Sequence, residues 1–268
     1  VRQLYPTSLP GADTSDPQTI PAPHSGALTV IREEQLVAVA VRADACLELL
    51  APIGQFVPGG APLIRVHGPL AATIDIDAVY DALLLSLERT LDQDVAFGLR
   101  MLVDMGAKAI SESPYADPTT TVQVIDRVHD ILRQLATLEL PDGVHCDEGG
   151  AVRLVIPSMD WQAYVRLGFE ELRLAGGGSL QVVRSLRAAL EDLRRVAAPE
   201  RHPPLDEQLK LLTAAIDGAG TDGDERELFS RPDPQGLGVA AGADGDQPVD
   251  AAGAGPKTPA RRVRPSGW

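Results

Sequence analysis

Short apolar stretches separated by turn-forming residues in the first quarter of the chain predict a small β-rich unit at residues 24–68. Stretches 27–31, 46–50 and 61–66 are mostly apolar and are bounded by turn-forming residues, as strands are. A short helical run at 33–41 separates the first of these strands from the second. We therefore expect the unit to be a set of strands around one small apolar core.

Further along, apolar residues recur every three or four positions over a body that we place at residues 69–217. That period is typical of amphipathic helices. The predicted helices cover residues 79–91, 95–110, 117–138, 160–174, 180–196 and 203–216. Residues 141–150 are predicted to form a loop, and 152–156 a strand that Pro157 ends. Because an isolated strand needs a partner, we expect this one to pair with the N-terminal β unit or with another subunit.

The two ends of the chain have a different composition. Residues 1–23 contain five prolines among Thr, Ser and Asp and predict an extended linker. Residues 218–268 are rich in Gly, Ala and Pro and show no hydrophobic period, so they cannot bury enough apolar surface to offset the entropy of ordering. The predicted fold is therefore α+β: a small β-rich N-terminal unit, a mainly helical body and a disordered C-terminal tail.

The net charge limits the classes of partner that we expect, and the number of cysteines indicates the redox compartment. The net charge of -14 argues against nucleic acid, because phosphate binding needs clustered Lys and Arg. Cys46 and Cys146 are too few for a disulfide framework, and we expect free thiols in a reducing compartment. The sequence contains no apolar run of about 18 residues, so it predicts no bilayer-spanning helix. The chain starts with Val1 rather than Met, so we expect a processed protein or a piece of a longer one.

The most distinctive stretch lies at residues 91–127, where Q-D-x-x-F-G-x-R and V-D precede D-P-T-T. This combination resembles the signature of a bacterial family of predicted integral membrane proteins, domain of unknown function 2254. The matching residues are Gln93, Asp94, Phe97, Gly98, Arg100, Val103, Asp104, Ser111, Asp117, Pro118, Thr119, Thr120, Asp126 and Arg127. There are two departures from the family pattern. Ala116 stands where the family usually has Asn, and a longer loop makes Ser111 and Ser113 compete for the Ser position.

The resemblance implies a setting for the chain. In that family several transmembrane helices precede the soluble region, and the match covers only the soluble part. The resemblance therefore implies a cell-membrane protein whose own membrane portion is the partner of this region. We expect this region to face the cytoplasm and to form a homo-oligomer through its helical stripes.

The candidate functional site is the helix start at Asp117-Pro118. Asp is a favoured N-cap, and Pro at the first helical position loses no needed donor, so capping alone explains the motif. The alternative is that the helix start holds an anion or a membrane-proximal loop. We expect a buried Arg100 to reach Asp117 or Asp126 in a structural network. The candidate residues are Arg100, Asp104, Ser111, Asp117, Thr119, Thr120, Asp126 and Arg127.

The sequence contains no recognisable catalytic or cofactor-binding motif. Residues 54–63 read G-x-F-V-x-x-G-x-P-L and resemble the turns of biotinyl and lipoyl carrier modules, but residues 24–68 contain no Lys to carry a cofactor. The tetrapeptide His145-Cys146-Asp147-Glu148 lacks the further ligands that a metal ion needs. We expect no catalytic residues, no cofactor and no metal.

Three functions are compatible with these features. The first, which we favour, is a non-enzymatic domain that assembles, gates or senses for a membrane portion. The second is an enzyme with Asp104, Asp117 and Asp126 as acid/base candidates, which requires a deep pocket shared by at least two of them. The third is a freestanding scaffold protein.

Overall fold

Two sheets and a bundle of helices are described over residues 18–68, 73–111, 117–218 and 228–229 in a computed structural model. The strands are β1 Gln18–Pro21, β2 Gly26–Ile31, β3 Cys46–Leu49, β4 Phe56–Val57, β5 Pro62–His67, β6 Leu83–Ser86, β7 Val144–Cys146 and β8 Val152–Val155. The helices are α1 Glu33–Arg42, α2 Ile76–Asp81, α3 Val95–Ser111, α4 Pro118–Leu135, α5 Trp161–Gly176, α6 Leu180–Val196 and α7 His202–Gly218. A 3₁₀ turn, Pro199–Arg201, precedes α7. The predicted α+β class is confirmed.

The first core is formed by the two sheets together with α1 and α2. One sheet has the strand order β1-β5-β3-β8-β7 and the other the order β4-β2-β6. The largest fully buried side chains of this core come from both sheets, among them Ile20, Leu28, Leu47, Leu63 and Ile64. Ile20 belongs to the predicted linker, so the last residues of that segment form an edge strand. Residues 1–17 lie outside the described part of the chain.

The strand predicted near 152–156 pairs with the N-terminal β unit, which is the first of the two partners expected for it. β8 runs parallel to β3, with Leu154 opposite Leu47. The predicted loop over 141–150 is wrong in part, because β7 lies within it and pairs antiparallel with β8. Three residues are too few to show a period, which is why the pattern missed this strand.

The helix predicted over 79–91 is wrong. α2 ends at Asp81, and the chain then enters β6, which pairs antiparallel with β2. Leu83 and Leu85 are buried in the first core, whereas Leu87 is 96% exposed. Apolar residues at alternate positions of a strand also recur at every fourth position, so spacing alone could not separate the two structures. Pairing with β2 decided between them.

The second core contains only helices, α3 to α7, and matches the predicted stripes. Ile125, Val128 and Leu132 of α4 are buried in it, as are Leu186 and Leu190 of α6. The predicted tail, 218–268, lies almost wholly outside the described residues. Three of its residues are described: Gly218, which ends α7, and Leu228 and Phe229, of which Phe229 packs against this core.

A buried carboxylate fixes α4 to α6 within the second core. Asp192 is 1% exposed and lies 2.8 Å from His129 Nε2 and 3.1 Å from Arg195 Nη2, and it also accepts a hydrogen bond from Arg133. Burial raises the pKa of this carboxyl, but the hydrogen bonds and charges of Arg133 and His129 outweigh burial and hold the pKa below its usual value. The charged form of Asp192 is therefore the form that stabilises the fold.

The variant Asp192→Asn is expected to lower the free energy of unfolding by about 2–3 kcal/mol at pH 7, because it leaves His129 and Arg133 facing no charge. The loss should shrink below a pH of about 4. A lowered pKa gives stability that is present above the unfolded value and is lost as the pH falls through the folded value. Urea unfolding followed by circular dichroism at several pH values measures this loss.

The matched control is Asp206→Asn. Asp206 pairs with Arg194 at 2.6 Å, but both side chains are about half exposed, at 49% and 50%. Its removal should cost less than about 1 kcal/mol. Equal losses for the two variants would contradict the role assigned to Asp192.

Candidate functional site

A cavity of about 610 Å³ lies between the two cores. Within the described residues the chain passes from one core to the other three times, after β6, after α4 and after β8. Each passage contributes to the cavity wall: Asp94 from the first, Pro141 from the second, and Pro157 from the third. The cavity therefore lies where the two cores are joined.

Gln93 connects the helical body to the end of β2. Its side-chain oxygen accepts a hydrogen bond from the Ile31 amide at 2.9 Å, and its side-chain nitrogen donates to the Ile31 carbonyl at 3.3 Å. An amide side chain can satisfy both backbone groups of one residue in this way because it carries a donor and an acceptor. Gln93 thus pairs with Ile31 as a neighbouring strand would.

Asp94 follows directly and is 2% exposed. One carboxylate oxygen accepts hydrogen bonds from Arg89 Nη2 at 2.7 Å and Nε at 3.1 Å. The other accepts from the Phe97 amide at 2.9 Å, which caps α3. The Arg89 guanidinium also lies 4.6 Å from the centroid of the Phe97 ring. A buried carboxylate needs this full set of partners, so Asp94 fixes both Arg89 and the start of α3.

Gly54 of the β unit lies against the ion pair between Arg89 and Asp94. Its amide donates to the Leu28 carbonyl at 2.7 Å, and its φ of +81° is favourable only for glycine. A Cβ at this position would lie 2.1 Å from an Asp94 carboxylate oxygen and 2.5 Å from Arg89 Nη2. The loop can therefore approach the ion pair only because residue 54 has no side chain. We call Gly54, Arg89, Gln93 and Asp94 the joint.

Tyr164 of α5 lines the same cavity. Burial raises the pKa of its hydroxyl, and the negative charge of Asp94 raises it further. Tyr164 therefore keeps its proton at neutral pH and can act as a hydrogen-bond donor.

Arg100 does not occupy the predicted place. Its side chain is 39% exposed and pairs with Glu171 on α5, so the expected buried contact with Asp117 or Asp126 is wrong. α3 turns this face toward α5 rather than toward the start of α4. Arg100 lines a second cavity, of about 410 Å³, which shares Arg89 with the first.

The predicted helix cap at Asp117 is confirmed. Its carboxylate accepts the Thr120 amide at 3.1 Å and the Thr120 hydroxyl at 2.5 Å. The hydrogen bonds from Thr120 hold the pKa of Asp117 below its usual value. Thr121, which the sequence did not single out, is fully buried and donates to the Gly106 carbonyl at 2.9 Å. The Thr121 hydroxyl thus fixes α4 to α3, whereas the Thr120 hydroxyl bonds within the cap of α4.

The other candidate residues do not form one cluster. Ser111 ends α3 and donates to the Lys108 carbonyl at 3.1 Å. The remaining candidates are exposed, namely Asp104, Thr119, Asp126 and Arg127. Neither of the two cavities is lined by Asp104, Asp117 or Asp126, so the shared pocket that the enzyme interpretation requires is not found at these two sites. Ser113 and Ala116 lie outside the described residues.

The joint was missed as a site although two of its residues were quoted in the motif. Gln93 and Asp94 stand immediately before a strongly apolar helix, where Asp is a signal for an N-cap. Their partners Ile31 and Gly54 lie far away in sequence, and no local pattern connects them. Among the described residues, no group of three or more His, Cys, Asp or Glu side chains is placed to hold a metal ion.

Comparison with known proteins gives one family. A family model described as predicted membrane protein, DUF2254, matches residues 4–192. Uncharacterized proteins of Mycobacterium tuberculosis and Mycobacterium bovis are each 28% identical to the chain over 257 residues, covering 91% of this chain and 48% of theirs. The chain thus spans about half the length of the curated relatives it matches. No solved structure matches. None of the helices in the described part of the chain is both long and apolar enough to cross a bilayer.

The variant Gly54→Ala is expected to lower the free energy of unfolding by about 3–4 kcal/mol. About 1–2 kcal/mol comes from the left-handed backbone, and the rest from the clash with Asp94 and Arg89. Thermal or urea unfolding measures the change.

Gly60→Ala is the matched control, because Gly60 has a φ of +80° and a Cβ added there would meet nothing within 4 Å. This variant should lower the free energy of unfolding only by the contribution of the left-handed backbone, about 1–2 kcal/mol. If both variants lose the same stability, the close approach of Gly54 to the ion pair has no energetic weight.

Proposed function

The chain belongs to the DUF2254 family of predicted membrane proteins, and from that premise we propose that it is a non-enzymatic domain that assembles, gates or senses for a membrane portion. The membrane portion is assigned to sequence beyond this chain, since the curated relatives are about twice as long. In this proposal the domain faces the cytoplasm. Its partner is the membrane part of the same protein.

The observation that supports this function is the joint. Gln93 and Asp94 belong to the family-like motif: Gln93 connects the two cores through its side-chain pair with Ile31, and Asp94 holds the connection before α3 in place through its buried ion pair with Arg89. The Gln93 side chain is exposed and its hydrogen bonds to Ile31 are partly buried, so breaking this pair costs about 0.5–1.5 kcal/mol for each hydrogen bond. In this proposal the joint is the element that engages and disengages when the domain gates or assembles.

The cytoplasmic orientation is supported by the cysteines. β8 lies between the strands of Cys46 and Cys146, so two strand spacings, about 10 Å, separate them. A disulfide requires Cα atoms closer than about 7 Å. Burial and the charge of Glu48 raise the pKa of the Cys46 thiol to about 11, so it stays protonated. Thiols held apart in this way suit a reducing compartment.

The natural-length protein tests this function directly. We expect it to stay in the membrane fraction after an alkaline wash, and protease to cut this domain in inverted vesicles but not in intact spheroplasts. The variant Gln93→Ala leaves the Ile31 amide without its partner. It should remain in the membrane but change the size of the detergent-solubilised complex, measured by light scattering.

Gln134→Ala is the control, because the Gln134 side chain makes only an exposed hydrogen bond to Asp130 at 3.3 Å. It should leave the complex unchanged. Recovery of the protein in the soluble fraction would support a freestanding scaffold instead. A Gln93→Ala complex identical to that of Gln134→Ala would overturn the role of the joint.

We also propose that the protein forms a homo-oligomer. The predicted helical stripes are buried in the second core, so a different surface is needed. β6 lies at the edge of its sheet in the described part of the chain, and the run 82–87 contains no charge and no proline. Leu84 is 46% exposed and Leu87 96% exposed. Natural sheet edges are usually blocked by charges or proline, so this edge fits β6 of a second copy.

Leu84→Lys should convert the chain from a dimer to a monomer, because a lysine on an edge strand opposes strand addition. Sedimentation equilibrium measures the mass. Leu174→Lys, at a 69% exposed position on α5, should leave the dimer intact. A wild-type chain that is monomeric at high concentration would refute pairing through β6.

A further inference from the structure

The cavity between the cores has the size and the walls of a small-molecule site. Its volume of about 610 Å³ falls inside the range of about 300–1,000 Å³ that is common for such sites. Most of its wall is apolar: Ile31, Ile53 and Ile156 come from the first core, Val95 from the first residue of α3, and Met159 from the connection before α5. An occupant with an apolar body would therefore gain stability by leaving water.

The ion pair at the cavity is already satisfied. Arg89 donates two hydrogen bonds to Asp94, whose second oxygen is taken by the Phe97 amide. An anionic ligand would lose its hydration and find Arg89 already paired, which makes its binding unfavourable. The Glu33 side chain is 51% exposed and keeps its own hydration, so it offers a cationic ligand little free energy of binding.

Two hydroxyl groups at the cavity remain available. Tyr164 and Ser158 line it, and their side-chain hydroxyls make no hydrogen bond to any other described residue. The raised pKa of Tyr164 keeps its proton in place, so it offers a donor to an acceptor atom on a ligand.

We propose that this cavity binds an uncharged, mostly apolar molecule that carries a carbonyl or similar hydrogen-bond acceptor, which Tyr164 recognises. Its role as the signal of a sensing domain rests on the proposed function, whereas binding itself requires only the folded chain. Because the cavity wall includes Gln93 and Asp94, an occupant touches the joint directly. Occupancy would thereby favour one arrangement of the joint.

The test uses Nile red, an uncharged aromatic dye with a carbonyl group, titrated into the full chain. We expect a saturable rise in fluorescence at one site per chain, and binding at least about tenfold tighter than that of the anionic dye anilinonaphthalene sulfonate, a difference of about 1.4 kcal/mol. Tyr164→Phe should weaken Nile red binding about five- to tenfold, the effect of one lost hydrogen bond. Tyr80→Phe is its control, since the Tyr80 hydroxyl donates to the Pro21 carbonyl away from the cavity.

Ala96→Trp should abolish binding by filling the space, because Ala96 lines both cavities. Ala214→Trp, at an exposed position of α7, should have no effect. Circular dichroism confirms that each variant is folded. Unsaturable binding, unchanged binding in Ala96→Trp, or a preference for the anionic dye would each overturn the proposal. Each of these results is independent of the membrane fractionation above, so the ligand can be rejected while the membrane role stands.

Discussion

The buried carboxylate of Asp94 is the constraint on which the rest of the architecture depends. A carboxylate at 2% exposure is stable only with its partners in place, and these partners lie on the connection before α3 and at the first turn of α3 itself. The ion pair in turn requires a residue without a side chain at Gly54, in the β unit. The ion pair therefore fixes the connection that leads into the helical body, Gly54 of the β unit lies against it, and Gln93 links this connection to the end of β2.

The path of the chain explains why a cavity forms at this point. The β unit is completed by β7 and β8, which come from the middle of the sequence, so the chain must return to the first core before it builds α5. Space is left where the connections converge, and its wall combines apolar residues from both cores with the ion pair of the joint. The same feature that couples the cores thus provides a place for a ligand.

The elements that the sequence predicted well are those whose signal is local. α4 and α6 bury complete apolar stripes, and Asp117 caps α4 because an N-cap needs only the next three residues. β6 was mistaken for a helix, since Leu83 and Leu85 acquire their strand structure from pairing with β2. The candidate site was only partly predicted for a similar reason. The cap at Asp117 is local, whereas the contact of Gln93 with Ile31 spans 62 positions, and the partner of Arg100 proved to be Glu171.

The most direct test of the joint is hydrogen exchange at the Ile31 amide in the unmodified chain. This amide donates to the Gln93 side chain, so its protection reports on whether the two cores stay engaged. The account predicts that Ile31 exchanges as slowly as the Leu28 amide, which donates to the Gln55 carbonyl inside the first core. Exchange of Ile31 at the rate of an unprotected loop amide, with Leu28 still protected, would contradict it.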